Sequence, residues 1–176
     1  MNAKHSSASQ LWYTPSNLIE AARHVLGSID FDPASDATAN ETVKASRYCS
    51  ERGSAWVHWP LNARIWINPP GGKDAYGGSN QTTFWSALMS YLGNGYLKHA
   101  IFLAFSIEAL QTTQSCEWPM MRFPLCIPSK RIRFVSPEGI KNSPTHANAI
   151  IYVPGTEDAT DRFMDTFSEI GACKGG

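Results

Sequence analysis

The four residues Asn68-Pro69-Pro70-Gly71 combine hydrogen-bond acceptors in a way that suits one chemistry, the holding of an amino group. Proline has no N–H, so two in a row end a strand and leave stiff backbone carbonyls unpaired. The Asn68 amide adds a further acceptor. An Asn carbonyl beside a Pro carbonyl can accept both hydrogens of an exocyclic amine, which directs the nitrogen lone pair at an electrophile. The tetrapeptide follows a short apolar run, Ile65-Trp66-Ile67, so it falls at the carboxyl end of an expected strand. Open α/β sheets place their ligand crevice there. Alone, the same residues are also an ordinary turn signal.

The elements that would position this segment follow from the patterns around it. Thr14-Pro15 reads as a helix start, with Thr14 as cap and Pro15 at the first helical position. Leu18, Ile19, Ala22, Val25 and Leu26 make an apolar stripe that Gly27 stops. Ser28-Ile29-Asp30-Phe31 is a short expected strand ending in Asp32-Pro33-Ala34-Ser35, and residues 37–48 suit a short helix. Residues 55–59 and 64–67 are two further expected strands. A Gly- and Ser-rich loop, residues 71–80, reads as mobile and exposed, and its glycine spacing is not that of a phosphate loop. Thr82 or Thr83 is expected to cap the next helix, which presents Phe84, Trp85, Leu88, Tyr91 and Leu92. The continuous apolar run Ala100-Ile101-Phe102-Leu103-Ala104-Phe105 suits a strand buried on both faces. A helix over 107–113, strands over 123–127, 131–135 and 149–153, and a last helix with Phe163, Met164, Phe167 and Ile170 complete the chain. This order predicts a mixed α/β sheet with helices on its faces. The expected organisation is a disordered tail over residues 1–11, one domain over 12–171 and a flexible tail over 172–176.

Composition bounds the function classes. Apolar content of 43% and charged content of 17% fit one globular domain of 176 residues. No run reaches the length of a transmembrane helix, and no apolar segment follows Met1-Asn2-Ala3-Lys4 as in a signal peptide. Cys49, Cys116, Cys126 and Cys173 show no paired or metal-like spacing, and the five histidines do not cluster with them. They read as reduced thiols of a cytoplasmic protein, with no metal site. The formal net charge is zero, which argues against wrapping nucleic acid by bulk electrostatics. The charge is uneven, however. Arg122, Lys130, Arg131, Arg133 and Lys141 face one acid, Glu138, in the stretch 122–141. That leaves two readings for Lys130, Arg131 and Arg133: a local basic face, or solvated positions of an alternating strand.

The order of motifs is more specific than any one of them. Trp12-Tyr13-Thr14-Pro15 comes first, then Asp32-Pro33-Ala34-Ser35, then Asn68-Pro69-Pro70. Ser129-Lys130-Arg131-Ile132-Arg133-Phe134 and Ser143-Pro144-Thr145-His146-Ala147-Asn148 follow. Over roughly Leu11 to Gly155 this resembles the small phage and prophage DNA N6-adenine methyltransferases. The resemblance implies an abbreviated Rossmann-like methyltransferase fold, S-adenosylmethionine as cofactor and DNA as partner. It implies that Asp32 accepts a hydrogen bond from the cofactor's amino group. Trp12, Thr14 and Pro15 would lie against the methionine part, with Pro33, Ala34 and Ser35 beside Asp32 at the cofactor strand. An acid after the second strand would hold the ribose, with Glu41 and Glu51 as candidates. Asn68, Pro69, Pro70 and Gly71 would form the catalytic loop, with Asn68 also touching the cofactor. A late R-I-x-F strand and a last strand after Asn148 would complete the sheet. Lys73, Tyr76, Lys130, Arg131 and Arg133 are the candidate contacts to nucleic acid.

The chain departs from the family pattern at one chemically important place. The residue after Pro70 is aromatic in that family, where it stacks on the flipped base, and here it is Gly71. Three readings remain open. Tyr76 or Trp85 supplies the ring, the substrate is not a flipped adenine in duplex DNA, or the fold is kept as a non-catalytic nucleic-acid-binding module. A methyltransferase for another amine would use the same Asn-Pro-Pro chemistry. Asn68 lies only 36 positions after Asp32, so the sheet is expected to be abbreviated.

Overall fold

The computed structural model describes residues 12–50, 58–136, 141–142 and 146–176. Residues 1–11, Glu51, the segment 55–57 of one expected strand, and Ser143-Pro144-Thr145 lie outside the described residues. The chain forms an α/β fold built on one mixed sheet. In chain order the strands are β1 (Phe31–Asp32), β2 (Arg47–Tyr48), β3 (Ala63–Ile67), β4 (Leu97–Ala104), β5 (Leu125–Pro128), β6 (Phe134–Val135), β7 (Lys141–Asn142), β8 (Ala149–Pro154) and β9 (Gly171–Lys174). Seven of them lie in the order β2-β1-β3-β4-β8-β5-β9, while β6 and β7 pair as a separate ribbon. β2, β1, β3 and β4 are parallel; β8 runs antiparallel to both β4 and β5, and β9 antiparallel to β5.

Alternation along the central strands divides the core in two. Ala63, Ile65 and Ile67 of β3, Ala100, Phe102 and Ala104 of β4, and Ile151 and Val153 of β8 pack on one face. They meet α3 (Asn80–Gly93) through Phe84, Trp85 and Leu88, and α4 (Glu108–Thr112) through Ala109 and Leu110. Trp66, Ile101, Leu103, Ile150 and Tyr152 point to the other face, against Leu18, Ile19, Ala22 and Val25 of α1 (Ser16–Leu26) and Phe163 and Phe167 of α5 (Thr160–Ser168). Both faces are covered, which is why β3, β4 and β8 read as continuous apolar runs.

Several local expectations are corrected. The N-cap of α1 is Pro15, one residue later than expected, and it makes no side-chain cap bond; the Thr14 hydroxyl is used elsewhere. α2 (Ala37–Val43) is shorter than residues 37–48, because Lys44 turns the chain with φ 51° and the Asn40 side chain closes the turn onto both backbone groups of Ala45. α3 begins after Ser79 rather than at Thr82 or Thr83. The strand expected over 131–135 is reduced to Phe134–Val135 and does not complete the main sheet; its backbone bonds with Tyr13 instead, at 2.8 and 3.0 Å. The strand after Asn148 is central rather than last. The last strand is β9, formed by part of the segment expected as a flexible tail, 172–176.

Gly171 explains how β9 can close against β5. A Cβ there would run into the Ile127 carbonyl oxygen and the Pro128 Cα, both backbone atoms that cannot swing away. Overpacking of this kind typically costs about 1–3 kcal/mol. Gly171→Ala is therefore expected to lower the unfolding free energy by that amount, read as a lower urea midpoint with an unchanged slope. Ala172→Ser, at the exposed next position, is expected to leave it in place.

Candidate active site

The chain reverses direction in the sheet between β1 and β3. From β1 it first moves outward to β2, then returns across β1 to β3 and on to β4. Such a switch point opens a crevice at the carboxyl ends of the two diverging strands. Asp32 ends β1 and Asn68 follows β3, so both stand at that crevice. A cavity of about 510 Å³ fills it, within the range usual for small-molecule sites.

Asn68 is held in one orientation. Its Nδ2 donates to the Trp12 carbonyl at 3.1 Å and to the Thr14 hydroxyl at 3.2 Å. A backbone carbonyl can only accept, so the NH₂ group must face Trp12, and Oδ1 takes the other direction. Among the described residues, no group donates to Asn68 Oδ1 or to the Pro69 carbonyl. Trp12 is fixed from behind, because Tyr13 is bridged to Val135 of β6. The ribbon of β6 and β7 thus positions the Asn68-Pro69-Pro70 loop indirectly: β6 holds the Tyr13 backbone, and the neighbouring Trp12 carbonyl fixes the Asn68 amide.

Asp32 is 2% exposed. Its Oδ1 accepts from the Ala34 N–H at 3.0 Å, and the nearby Ser35 side chain also favours its ionised form. Burial outweighs both and pushes its carboxyl from 3.8 up to about 7, with a smaller push from the nearby charge of Asp36. No Lys, Arg or His among the described residues forms an ion pair with it. A buried carboxylate without a cation is costly, and an ammonium group in the cavity would remove that cost.

Of the residues singled out from sequence, Trp12, Thr14, Asp32, Ala34, Ser35, Asn68, Pro69, Pro70, Gly71, Lys73 and Tyr76 line this cavity. Pro15, Pro33, Lys130, Arg131 and Arg133 do not. The last three are exposed on the segment that leads into β6, whose Phe134 does reach the cavity wall. Glu41 is exposed on α2 and does not line the cavity. Asp36 does: its Oδ2 accepts from the Tyr13 hydroxyl at 3.0 Å, and its Oδ1 caps α2 through the Ala39 N–H at 2.8 Å. Sequence reading missed Asp36 because it looked only for an acid after the second strand. An Asp just before a helical segment is a capping signal that could have placed it at the strand end.

Trp85 is excluded as a ring for the site. It is 1% exposed, packs edge-on against Phe102 and Phe123 at 5.4 Å from each, and donates Nε1–H to the Trp118 carbonyl at 2.8 Å. The Gly-rich loop is more ordered than its composition implies, because Asp74 gathers three donors from it and from α3. Set against known proteins, the chain matches no family model, no curated protein and no solved structure.

Proposed function

We propose that this protein is an S-adenosylmethionine-dependent amino methyltransferase of the abbreviated Rossmann-like type, acting on N6 of adenine in DNA. The observation that carries the reading is the orientation of Asn68. Its amide hydrogens are consumed by Trp12 and Thr14, and its oxygen is left to the cavity together with the Pro69 carbonyl. Two acceptors on neighbouring residues of the cavity wall would match the two hydrogens of a primary exocyclic amine. The motif order from Trp12 to Asn148 supports the same reading, as does the switch point between β1 and β3.

The donor set fits the cofactor. Asp32 offers a buried carboxylate to an ammonium group, and the apolar surfaces of Ala34, Val43 and Phe134 offer cover for the rest. When bound, S-adenosylmethionine supplies an electrophilic methyl group on sulfur. Asn68 and the Pro69 carbonyl hold the target nitrogen and draw on its hydrogens, which keeps the lone pair available in line. Positioning of this kind is the protein's main contribution to such a reaction. The setting implied is the cytoplasm, where phage and host DNA are accessible.

The test is transfer of tritiated methyl from S-adenosylmethionine to duplex and heat-denatured DNA, followed by nucleoside digestion. Label in N6-methyladenine is the expected result. Label only in protein or in small amines would move the substrate class. No label anywhere, from a folded sample that also fails to bind S-adenosylhomocysteine, would overturn the reading.

A further inference from the structure

Tyr76 is the most unusual side chain at the cavity. It is 91% exposed, yet it stands on the cavity wall. Nothing about its own packing requires an aromatic residue there. Its backbone, in contrast, is tied down. Asp74 Oδ1 accepts from the Tyr76 N–H at 2.9 Å and from the Gly78 N–H at 2.8 Å, while Oδ2 accepts from the Thr83 hydroxyl of α3 at 2.6 Å. Asn80 closes the loop ends, donating its backbone N–H to the Gly72 carbonyl at 3.2 Å and Nδ2–H to the Gly71 carbonyl at 3.1 Å. The loop begins at Gly71, so the same bonds hold the Tyr76 backbone in place relative to the Asn68-Pro69-Pro70 segment.

From this placement we infer that Tyr76 is the residue that stacks on the target nucleobase, doing from the tip of the loop what Gly71 cannot do beside Pro70. The inference rests on the proposed methyltransferase reading and narrows its substrate. A nucleobase offers an extended aromatic face for stacking, which an aliphatic amine and a glutamine side chain lack. An open tyrosine ring beside amine-holding carbonyls therefore selects an aromatic amine. Phe105, at the end of β4, gives the cavity a second ring. Lys73, exposed in the same loop and also on the wall, offers a cation to the adjoining phosphate. The base must be out of its stack to reach these groups, so the preferred partner is an unpaired strand. Asp74 is a positioning residue: Thr83 and the loop amides hold its carboxyl below the usual range, which favours the ionised, accepting form.

The test compares binding of two short single-stranded oligothymidines in the presence of S-adenosylhomocysteine, one with a central deoxyadenosine and one with an abasic position there. Stacking on an aromatic side chain corresponds to roughly 5- to 140-fold in affinity. Wild-type protein is expected to prefer the adenine strand by a factor in that range, and Tyr76→Phe to keep the preference. Tyr76→Ala is expected to lose it while binding S-adenosylhomocysteine as before, and Asp74→Ala to lose part of it. Tyr76 is exposed, so the Ala variant removes no core packing, and its S-adenosylhomocysteine binding checks that it is folded. Intact S-adenosylhomocysteine binding with no adenine preference, or with a preference that survives Tyr76→Ala, would overturn this inference and leave the methyltransferase reading standing. Loss of S-adenosylhomocysteine binding in folded wild-type protein would overturn both.

Discussion

Asn68→Ala is expected to reduce methyl transfer to background while changing S-adenosylhomocysteine affinity by no more than a few-fold. On the proposed reading the side-chain oxygen acts on the target amine rather than on the cofactor's ammonium, so its loss falls mainly on the chemical step. Removing one preorganised polar group of this type from a transition state commonly costs about 10²–10³ in rate. Asn68 also loses its two donations, to Trp12 and Thr14, so part of the effect would come from a looser loop. Thr14→Val separates these contributions. It removes one of the two anchors and leaves the oxygen, and is expected to cost far less than Asn68→Ala. Asn68→Asp replaces the NH₂ with an oxygen that would face the Trp12 carbonyl, so it should misorient the group and fail nearly as badly. The measurements are initial rates of label transfer beside calorimetric S-adenosylhomocysteine affinity for each variant. An Asn68→Ala protein that retains substantial activity would remove Asn68 from the mechanism.

Which parts of this arrangement were legible in the sequence follows from what each signal measures. The central strands were readable because burial on both faces leaves an unbroken apolar run, as in Ala100–Phe105. Around Phe134 the alternation Arg131-Ile132-Arg133-Phe134 predicted burial correctly, since Ile132 and Phe134 are buried and both arginines exposed. It did not predict pairing, and only Phe134 and Val135 join a ladder. Periodicity reports which side chains face the core, not which backbone groups find a partner. β9 was invisible for the opposite reason. Gly171-Ala172-Cys173-Lys174 has no β-branched or aromatic residue, and its strand exists because the edge of β5 offers backbone partners. Asp30 and Asp74 show a third limit. Asp30 uses its carboxylate to receive the Arg64 N–H at 2.9 Å, beside a strand shorter than its pattern suggested. Asp74 orders a Gly-rich loop that composition alone reads as mobile. One well-placed carboxylate can outweigh a propensity summed over ten residues.

Asp32 should make stability and cofactor affinity respond to pH in opposite directions. In the ligand-free fold its carboxyl sits near 7 rather than 3.8, chiefly through burial. The folded state therefore holds a proton that the unfolded chain releases above about pH 4. This contribution is fully present below that pH and is lost as pH rises through about 7, a swing on the order of 4 kcal/mol. The Asp32 contribution to melting of the ligand-free protein is thus expected to fall between about pH 5 and pH 8, against an opposite slope from His99, whose burial lowers its pKa, and comparison with Asp32→Asn isolates it. A ligand ammonium selects the ionised carboxylate, so S-adenosylhomocysteine must expel the proton where it is present. Its affinity is expected to weaken about tenfold per unit below pH 7 and to level off above it. Titration calorimetry near pH 6, in buffers of different ionisation enthalpy, should detect close to one proton released per ligand bound. Asp32→Asn should bind weakly, with no such release and no slope. The opposed directions give the test its force, because a fold that simply weakened with rising pH would carry ligand affinity down with it. A wild-type affinity that is flat from pH 5 to 8, with no proton released, would mean that Asp32 meets no cation in this cavity, and its burial would then need another explanation.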